Sequence, residues 1–444
     1  MGQFFGTDGI RGIANTELSP ELAVGLGRAV VRTLREEGIA RPRIAVGRDP
    51  RASGEMLEAA LVAGLCSAGA DVVLLGVIPT PGVAFLTTEL GLDSGAVISA
   101  SHNPVEDNGI KFFAADGFKL TDTEEERVEQ LLQRLDEDRP IGTAIGRLRP
   151  QQDLLERYTA HLTGTVDVSL SGLKVVVDCA NGAAFAVAPE VYRRLGAQVI
   201  AICAEPDGDN INDGCGSTHP EVVAAAVREH GADVGLAHDG DADRLIAVDA
   251  EGAVVDGDAI LAILARRRRA TSGLSTVVTT VMTNLGFRQA MEAMGVEVIQ
   301  TAVGDRPVLE AMRAGGHPLG GEQSGHVILA EHATTGDGIL TAAHLLAAVA
   351  SEGLPLAQLA TVMRRLPQVL VNVSGVNRAR LQGDQPLWDA IAEEERRLAG
   401  RGRILVRPSG TEPIVRVMVE ADTDEGAREV ADRLAGMVAD RLSL

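Results

Sequence analysis

Aromatic side chains are scarce: eight Phe, two Tyr and one Trp make up 2% of 444 residues. There are few rings to stack bases, and 62 acidic against 41 basic side chains give a formal charge of −21. Such a surface repels a phosphodiester backbone, so no nucleic-acid partner is expected. Long apolar runs are missing as well. The most apolar stretch, residues 340–350, contains His344 and falls short of the roughly 18–20 residues a membrane-spanning helix needs. It reads as a buried core helix, and no membrane partner is expected.

The opening residues MGQFFGTDGIRG carry neither a basic leader nor an apolar core, so no signal peptide is expected. Gly6, where Ser or Thr would be needed, excludes a myristoylation signal. Cysteine is sparse too. Cys66, Cys179, Cys203 and Cys215 show no Cys-x-x-Cys spacing, and the first two sit in apolar runs as small hydrophobes. A disulfide scaffold is not expected at this length, which points to a reducing cytoplasm.

What the chain does have is glycine: 50 of 444 residues, about 11% against an average near 7%. Its length suits three or four domains. Short β-branched runs alternate with helical patterns, which predicts α/β architecture with mixed, largely parallel sheets. Strands are expected at 43–49, 71–76, 94–99 and 109–113, with helices from about 54 and over 121–135. Residues 136–150, with two prolines and no apolar period, read as a linker.

The pattern restarts with strands at 174–179, 198–203, 233–237 and 245–249, and again at 276–281, 297–303 and 326–329. Residues 366–444 differ: strand, helix, two adjacent strands, then a long helix, the order of a small α+β domain. The expected domains are therefore 1–150, 151–253, 254–365 and 366–444.

The sharpest local signal is DGDADR, residues 239–244. Asp239, Asp241 and Asp243 would repel one another unless a cation sat among them. All-oxygen ligands point to a hard ion. Position 6 of the loop is Arg244 rather than Gly and position 12 is Ala250 rather than Glu, so an EF-hand is excluded and Mg²⁺ fits best.

Ser101 and His102 follow a strand in SASHNP, where Pro104 fixes the turn. The segment reads either as a nucleophile or phosphate carrier or as a Ser-rich loop, and no Gly-x-Ser-x-Gly elbow surrounds it. Lys111 could supply charge, act as a base if desolvated, or be a solvated strand residue. In GGEQSGH, Glu322, Gln323, Ser324 and His326 suit polyol recognition or a tight turn.

RPSGTEP brings together Arg407, Ser409, Gly410 and Thr411, with Arg416 on the next strand. These form a phosphate cradle or a proline-bounded hairpin. Near the N-terminus the Gly-spaced GTDGIRG displays Arg11. Arg266 to Arg269 read as a solvated helix end, and Asp256-Gly257-Asp258 as a helix cap.

In this order, FGTDGIRG, ISASHNPVEDNGIKFF, NINDGCGSTHP, DGDADR, GGEQSGH and RPSGTEPIVRVM resemble the α-D-phosphohexomutase superfamily over essentially the whole chain. The wording GEQSGH and FGTDGIRG is similar to its branch acting on glucosamine phosphates. Pro307 in VGDRPVLE departs from the family, which has an aromatic residue there. The resemblance implies a four-domain, heart-shaped molecule with one loop from each domain at a central cleft. It implies phosphorylation of Ser101, and Mg²⁺ held by Asp239, Asp241, Asp243 and a phosphoserine oxygen.

By the same resemblance, Glu322, Ser324 and His326 would serve the sugar. Arg407, Ser409, Gly410, Thr411 and Arg416 would clamp the unreacting phosphate. Arg11, His102, Lys111 and Arg244 would surround the transferring group. The implied reaction converts a hexosamine phosphate, glucosamine 6-phosphate, to glucosamine 1-phosphate through phosphoserine 101 and a 1,6-bisphosphate, with glucosamine or glucose 1,6-bisphosphate as activator. It would feed amino-sugar nucleotide and cell-wall precursor synthesis. The alternatives are a phosphoglucomutase or phosphomannomutase, a Mg²⁺-dependent sugar-phosphate phosphatase, or a non-catalytic sugar-phosphate sensor. A monomer or homodimer is expected.

Overall fold

The structure is a computed structural model that describes residues 4–6, 8–133, 139–409 and 413–444. It divides into two compact units. One comprises the chain up to residue 282 together with 296–362, and the other comprises 283–295 with 363–444.

The first unit holds three sheets of one plan. In the first sheet, β1 (Ile10–Ile13), β2 (Arg43–Arg48), β3 (Asp71–Val77), β4 (Ser94–Ile98) and β5 (Asp107–Ala114) lie in the order β1-β5-β4-β2-β3. Strands β3, β2 and β4 run parallel, β5 returns antiparallel against β4, and β1 is antiparallel to β5. The second sheet contains β6 (Lys174–Asp178), β7 (Gln198–Ile202), β8 (Val234–Ala237), β9 (Ile246–Asp249) and β10 (Val254–Val255), ordered β10-β9-β8-β6-β7. Here β7, β6 and β8 are parallel, and β9 and β10 are antiparallel.

The third sheet has β11 (Thr276–Thr280), β12 (Glu297–Thr301), β13 (Leu319–Gly321) and β14 (Val327–Leu329), in the order β12-β11-β13-β14, with only β14 antiparallel. The runs SGAVI, VGLA and TVVTT in β4, β8 and β11 are buried throughout, as parallel strands covered on both faces require. The predicted α/β class with repeated mixed-sheet blocks is the fold the chain adopts.

Helices Pro20–Glu36 and Ala52–Ser67 pack together over Ile44, Val46, Ile98 and Ile110 of the first sheet. Each fully buried aliphatic side chain of this kind contributes roughly 1.5–3 kcal/mol. The two helices approach closely because Gly27 lacks a side chain: a Cβ there would lie 2.7 Å from the Leu61 carbonyl oxygen.

Two sequence expectations change. The described part of the expected linker, 139–150, runs along β3. Val72 N donates to Arg147 O at 2.9 Å and Arg149 N donates to Val72 O at 2.8 Å, while the Asp71 carboxylate accepts from Arg147 N at 3.0 Å. Residues 136–138, and the end of the expected 121–135 helix at 134–135, lie outside the described residues. The described helix, Asp122–Leu132, starts with a capping box of Thr121 and Glu124.

The arginine run is not a solvated helix end throughout. Arg268 is 9% exposed and pairs with Glu331 at 2.8 Å, Arg266 pairs with Glu352 at 2.5 Å, and Arg267 donates to Ala347 O at 3.0 Å. Helix Gly257–Ser272 packs beside the buried helix Gly338–Glu352, so Arg266 and Arg267 reach that neighbour, Arg268 reaches Glu331 ahead of it, and only Arg269 is exposed as expected of a helix end. Asp256 caps the same helix as expected, accepting from Ala259 N at 3.1 Å.

The second unit contains the expected small α+β arrangement and takes in residues 283–295 as well. β15 (Gln368–Val373), β16 (Arg403–Pro408) and β17 (Val415–Glu420) form an antiparallel sheet in the order β15-β17-β16, joined by helices Gln385–Leu398 and Asp424–Arg441. Val415, Val417 and Val419 alternate into its core. No helix among the described residues is long and apolar enough to cross a membrane, and all four cysteines are free thiols.

Candidate active site

Each sheet of the first unit places one chemistry-bearing loop at the same point, where the last parallel strand turns into its antiparallel return. Residues 99–106 join β4 to β5, 238–245 join β8 to β9, and 322–326 join β13 to β14. In the second unit the RPSGTEP loop likewise joins β16 to β17.

Ser101 is 1% exposed and adopts φ +55°, a left-handed conformation that costs a non-glycine residue about 1–3 kcal/mol. Surrounding bonds hold it there. The Ser99 hydroxyl accepts from Ser101 N at 3.0 Å and donates to Asp49 at 2.6 Å. Arg51, fully buried, donates through Nη2 to the carbonyls of Ser101 (3.1 Å) and Asn103 (2.8 Å). Its Nη1 reaches Asp107 O at 3.2 Å and also Pro104 O, and Nε reaches Asp49 at 3.0 Å. A planar guanidinium is the side chain able to satisfy so many fixed acceptors at once. Asn212 adds a bond from Nδ2 to Ser101 O at 2.8 Å.

The Ser101 hydroxyl donates to Asp239 Oδ2 at 2.7 Å and lies 3.2 Å from His102 Nδ1. Burial, reinforced by Arg244 and Arg11, lowers the His102 pKa to about 4, so the imidazole is neutral at pH 7. Lys111, on β5, pairs with Asp8 at 2.9 Å and Asp241 at 3.3 Å. Burial works against its charge, but the two carboxylates outweigh it and raise the pKa. Lys111 is therefore buried and ion-paired rather than a solvated strand residue.

Asp239, Asp241 and Asp243 are buried, with one oxygen of each within 4.8 Å of the others. Gly240 lets this loop lie against the Ser101 turn, because a Cβ there would be 2.5 Å from Ser101 O. Thr80 pins Asp241 through both its hydroxyl (2.7 Å to Oδ2) and its amide (3.0 Å to the carbonyl). Burial, then repulsion from Asp243 and Asp241, pushes the Asp239 carboxyl well above its usual range. Oδ1 of Asp241 and of Asp243 is buried without a hydrogen-bond partner. Three crowded carboxylates with orphaned oxygens fit a hard divalent cation, whose charge would reverse the repulsion.

Arg244 lies 3.7 Å from Asp243 and 4.0 Å from Asp239. Its carbonyl accepts from His238 Nδ1 at 3.1 Å, and His238 Nε2 accepts from the Tyr192 hydroxyl at 3.0 Å. Burial lowers the His238 pKa to about 4, which keeps that neutral tautomer.

A cavity of about 480 Å³ opens among these groups, lined by Asp8, Arg11, His102, Asp243, Arg244, Asp305, Glu322, Ser324 and His326. The Nε atoms of Arg11 and Arg244 are buried without hydrogen-bond partners, as is the Ser324 hydroxyl. These are donors suited to an anionic, hydroxyl-rich ligand. Glu322 accepts from Gly304 N at 3.1 Å. His326 stands 3.4 Å from Asp243 and accepts from Gly336 N through Nε2 at 3.2 Å, so it supports the carboxylate cluster as well as lining the cavity.

Sequence reasoning missed Asp8, Lys119 and Asp305. Lys119 pairs with Asp8 at 2.6 Å and with Asp305, while Asp8 also meets Arg11 and Lys111. Burial raises the Asp8 carboxyl, but Lys111, Lys119 and Arg11 together hold it well below its usual range. Asp8 stands in GTDGIRG and Asp305 in VGDRPVLE, segments singled out for Arg11 and Pro307 rather than for their carboxylates. Lys119 belongs to no motif, and only the fold reveals it. Pro307 is the third residue of helix Asp305–Gly315, where a missing N–H costs no helical hydrogen bond.

In the second unit, Arg407 and Arg416 face each other directly across β16 and β17. Burial and the neighbouring Arg416 lower the Arg407 pKa, so an anion between the two guanidiniums would relieve both effects. Ser409 N donates to Ile414 O at 3.0 Å, and its carbonyl accepts from Arg378 at 2.7 Å. Gly410 and Thr411 lie outside the described residues.

Family profiles described as "Phosphoglucomutase/phosphomannomutase, alpha/beta/alpha domain I", domain II and domain III match residues 2–139, 156–252 and 256–366. The C-terminal domain of the same family matches 370–437. The chain is 57% identical to the phosphoglucosamine mutase of Thermobifida fusca and 58% identical to that of a Nocardioides species, in each case over 100% of both chains. It is also similar to the crystal structure of a phosphoglucomutase/phosphomannomutase family protein from Burkholderia thailandensis. That match has a TM-score of 0.84 and 25% identity, covering 99% of this chain and 98% of the other. Sequence, domain order and fold agree, and the chain belongs to the phosphoglucosamine mutases of the phosphoglucomutase/phosphomannomutase family.

Proposed function

We propose that the chain isomerises glucosamine 6-phosphate to glucosamine 1-phosphate, with Ser101 carrying the phosphoryl group between turnovers. The observation that carries this reading is the Ser101 hydroxyl, held in a strained left-handed turn and bonded at 2.7 Å to one of three clustered buried carboxylates. Asp239, Asp241 and Asp243 would hold Mg²⁺. When bound, it would neutralise negative charge on the transferring group.

Phosphoserine 101 gives its phosphoryl group to O1 of the sugar: the bond from phosphorus to Ser101 Oγ breaks, a bond to O1 forms, and the O1 proton ends on Ser101 Oγ. The resulting 1,6-bisphosphate turns end for end and returns its 6-phosphoryl group to Ser101. Arg11, Lys111 and Arg244 hold the transferring charge, and neutral His102 offers a hydrogen bond without adding charge. Glu322 and Ser324 meet the sugar hydroxyls, and His326 orients Asp243. Arg407, Ser409, Gly410, Thr411 and Arg416 clamp the phosphate that is not reacting. In this reading the segments 1–150, 151–253, 254–365 and 366–444 each contribute one loop, and the active form lies in the cytoplasm.

Intact mass with peptide mapping tests the carrier. Phosphate on the Ser101 peptide, exchanging with labelled hexose 1,6-bisphosphate, is expected, and its persistent absence from active enzyme overturns the proposal. Comparing kcat/KM for glucosamine, glucose and mannose 6-phosphates tests the substrate. A preference for either of the last two overturns that assignment.

A further inference from the structure

Among the described residues, one further group of metal-ligating side chains besides the Asp239 cluster gathers in the second sheet. Asp178 ends β6, Cys203 follows β7, and Cys215 lies in the loop ahead of the β8 connection. Donor atoms of all three fall within 4.8 Å of one another. Asp178 is fully buried, Cys215 is 2% exposed, and Cys203 is half-buried. We propose that Asp178, Cys203 and Cys215 form a site for a thiophilic divalent cation of the Zn²⁺ class, with a fourth position open to solvent on the Cys203 side.

The geometry suits that ion. Tetrahedral bonds of about 2.3 Å to sulfur and about 2.1 Å to oxygen place the donors about 3.6–3.8 Å apart. The site is also pre-oriented. Ala180 N and Gly216 N donate to the two Asp178 oxygens at 2.8 and 2.9 Å, leaving further lone pairs for a metal. Cys203 has a left-handed φ of +46° and its carbonyl accepts from Asn181 N at 2.6 Å, which fixes the turn that carries its side chain. The Cys215 thiol donates to Cys203 sulfur, which lowers the Cys203 pKa and raises that of Cys215. Binding replaces this shared proton: two S–H bonds break, two metal–sulfur bonds form, and two protons leave to solvent.

The donor set separates this site from the carboxylate triad. Thiolates select soft and borderline cations, whereas three carboxylates select hard ones. The site is linked to Ser101 through one short segment, because Asn212, three residues before Cys215, bonds to Ser101 O at 2.8 Å.

The test uses the full chain, reduced and stripped with chelator, then titrated with Cd²⁺. A near-ultraviolet thiolate-to-metal charge-transfer band saturating at one Cd²⁺ per chain is expected. It should be lost in Cys203→Ser and in Cys215→Ser, kept in Cys66→Ser, and displaced by Zn²⁺. The oxygen-only triad gives no such band, so the outcome is independent of the mutase reading. Absence of the band in the reduced parent overturns the proposal, and so does its survival in Cys203→Ser. Circular dichroism of the two variants identifies any loss through unfolding. In that case the parent must still show a thermal midpoint that rises with Zn²⁺ concentration, and a flat midpoint overturns the proposal.

Discussion

Ser101 Oγ and Asp239 Oδ2 meet at 2.7 Å although 138 residues separate them in the chain. The hydroxyl proposed to carry phosphate thus rests on a carboxylate that is itself under strain from its neighbours. Asp239 has a folded pKa raised by burial and by Asp243 and Asp241, above an unfolded value of about 3.9. A raised carboxyl favours folding while protonated, and that contribution is lost as pH rises from about 4 through the folded pKa. In chelator, Asp239→Asn should therefore melt higher than the parent, by a margin that grows with pH above about 4. Saturating Mg²⁺ should reverse the order. Melting curves across pH check this, and a pH-independent margin would sink it.

His102 should titrate near its lowered value of about 4. Its folded pKa lies below the unfolded value of about 6.5, so its contribution to stability is full above about 6.5 and fades as pH falls toward 4. Proton NMR of the imidazole reads the midpoint directly. A midpoint near 6.5 would remove the case for a neutral hydrogen-bonding role.

Arg51 touches no ligand-facing atom of the cavity, yet it bonds four carbonyls of the Ser101 turn. Arg51→Lys keeps the charge and loses the fork. It should lower kcat by about 10²-fold, the scale of a misplaced reacting group, while leaving KM for the sugar phosphate unchanged. Equal kcat with a lowered melting point would make Arg51 structural only.

The facing pair Arg407 and Arg416 predicts a different signature. Arg416→Gln should raise KM for hexosamine 6-phosphate at least tenfold, the scale of one lost hydrogen bond to a charged group of about 1.5–3 kcal/mol. Phosphorylation of Ser101 by the bisphosphate should still be detectable at high concentration. An unchanged KM would remove Arg416 from the clamp.

Sequence carried the loops because each has a distinctive composition at a strand end: three alternating aspartates, a serine before His-Asn-Pro, a glycine-bounded Glu-Gln-Ser. It did not carry the ion network. Lys119 and Asp305 are 186 residues apart, and no local pattern marks their pairing. Arg51 belongs to no motif, and only the fold surrounds its buried guanidinium with the carbonyls of the Ser101 turn. The solvated reading holds for Arg269 but not for Arg266 to Arg268, because composition gives no account of the neighbouring Ala347, Glu352 and Glu331 that receive them. Residues 139–150 lacked periodicity, yet backbone groups need only an open strand edge to pair, and β3 supplied one.

The close approach of Gly240 to Ser101 O, where a Cβ would lie 2.5 Å away, packs the serine and aspartate loops directly against each other. In the proposed cycle both phosphoryl transfers must then occur at one stationary point, and the sugar is the moving part. The bisphosphate has to pivot over the fixed serine while its ends exchange places. Escape during that pivot would leave Ser101 dephosphorylated. In that cycle a chain that loses its intermediate would need hexose bisphosphate from outside to restore its phosphoserine.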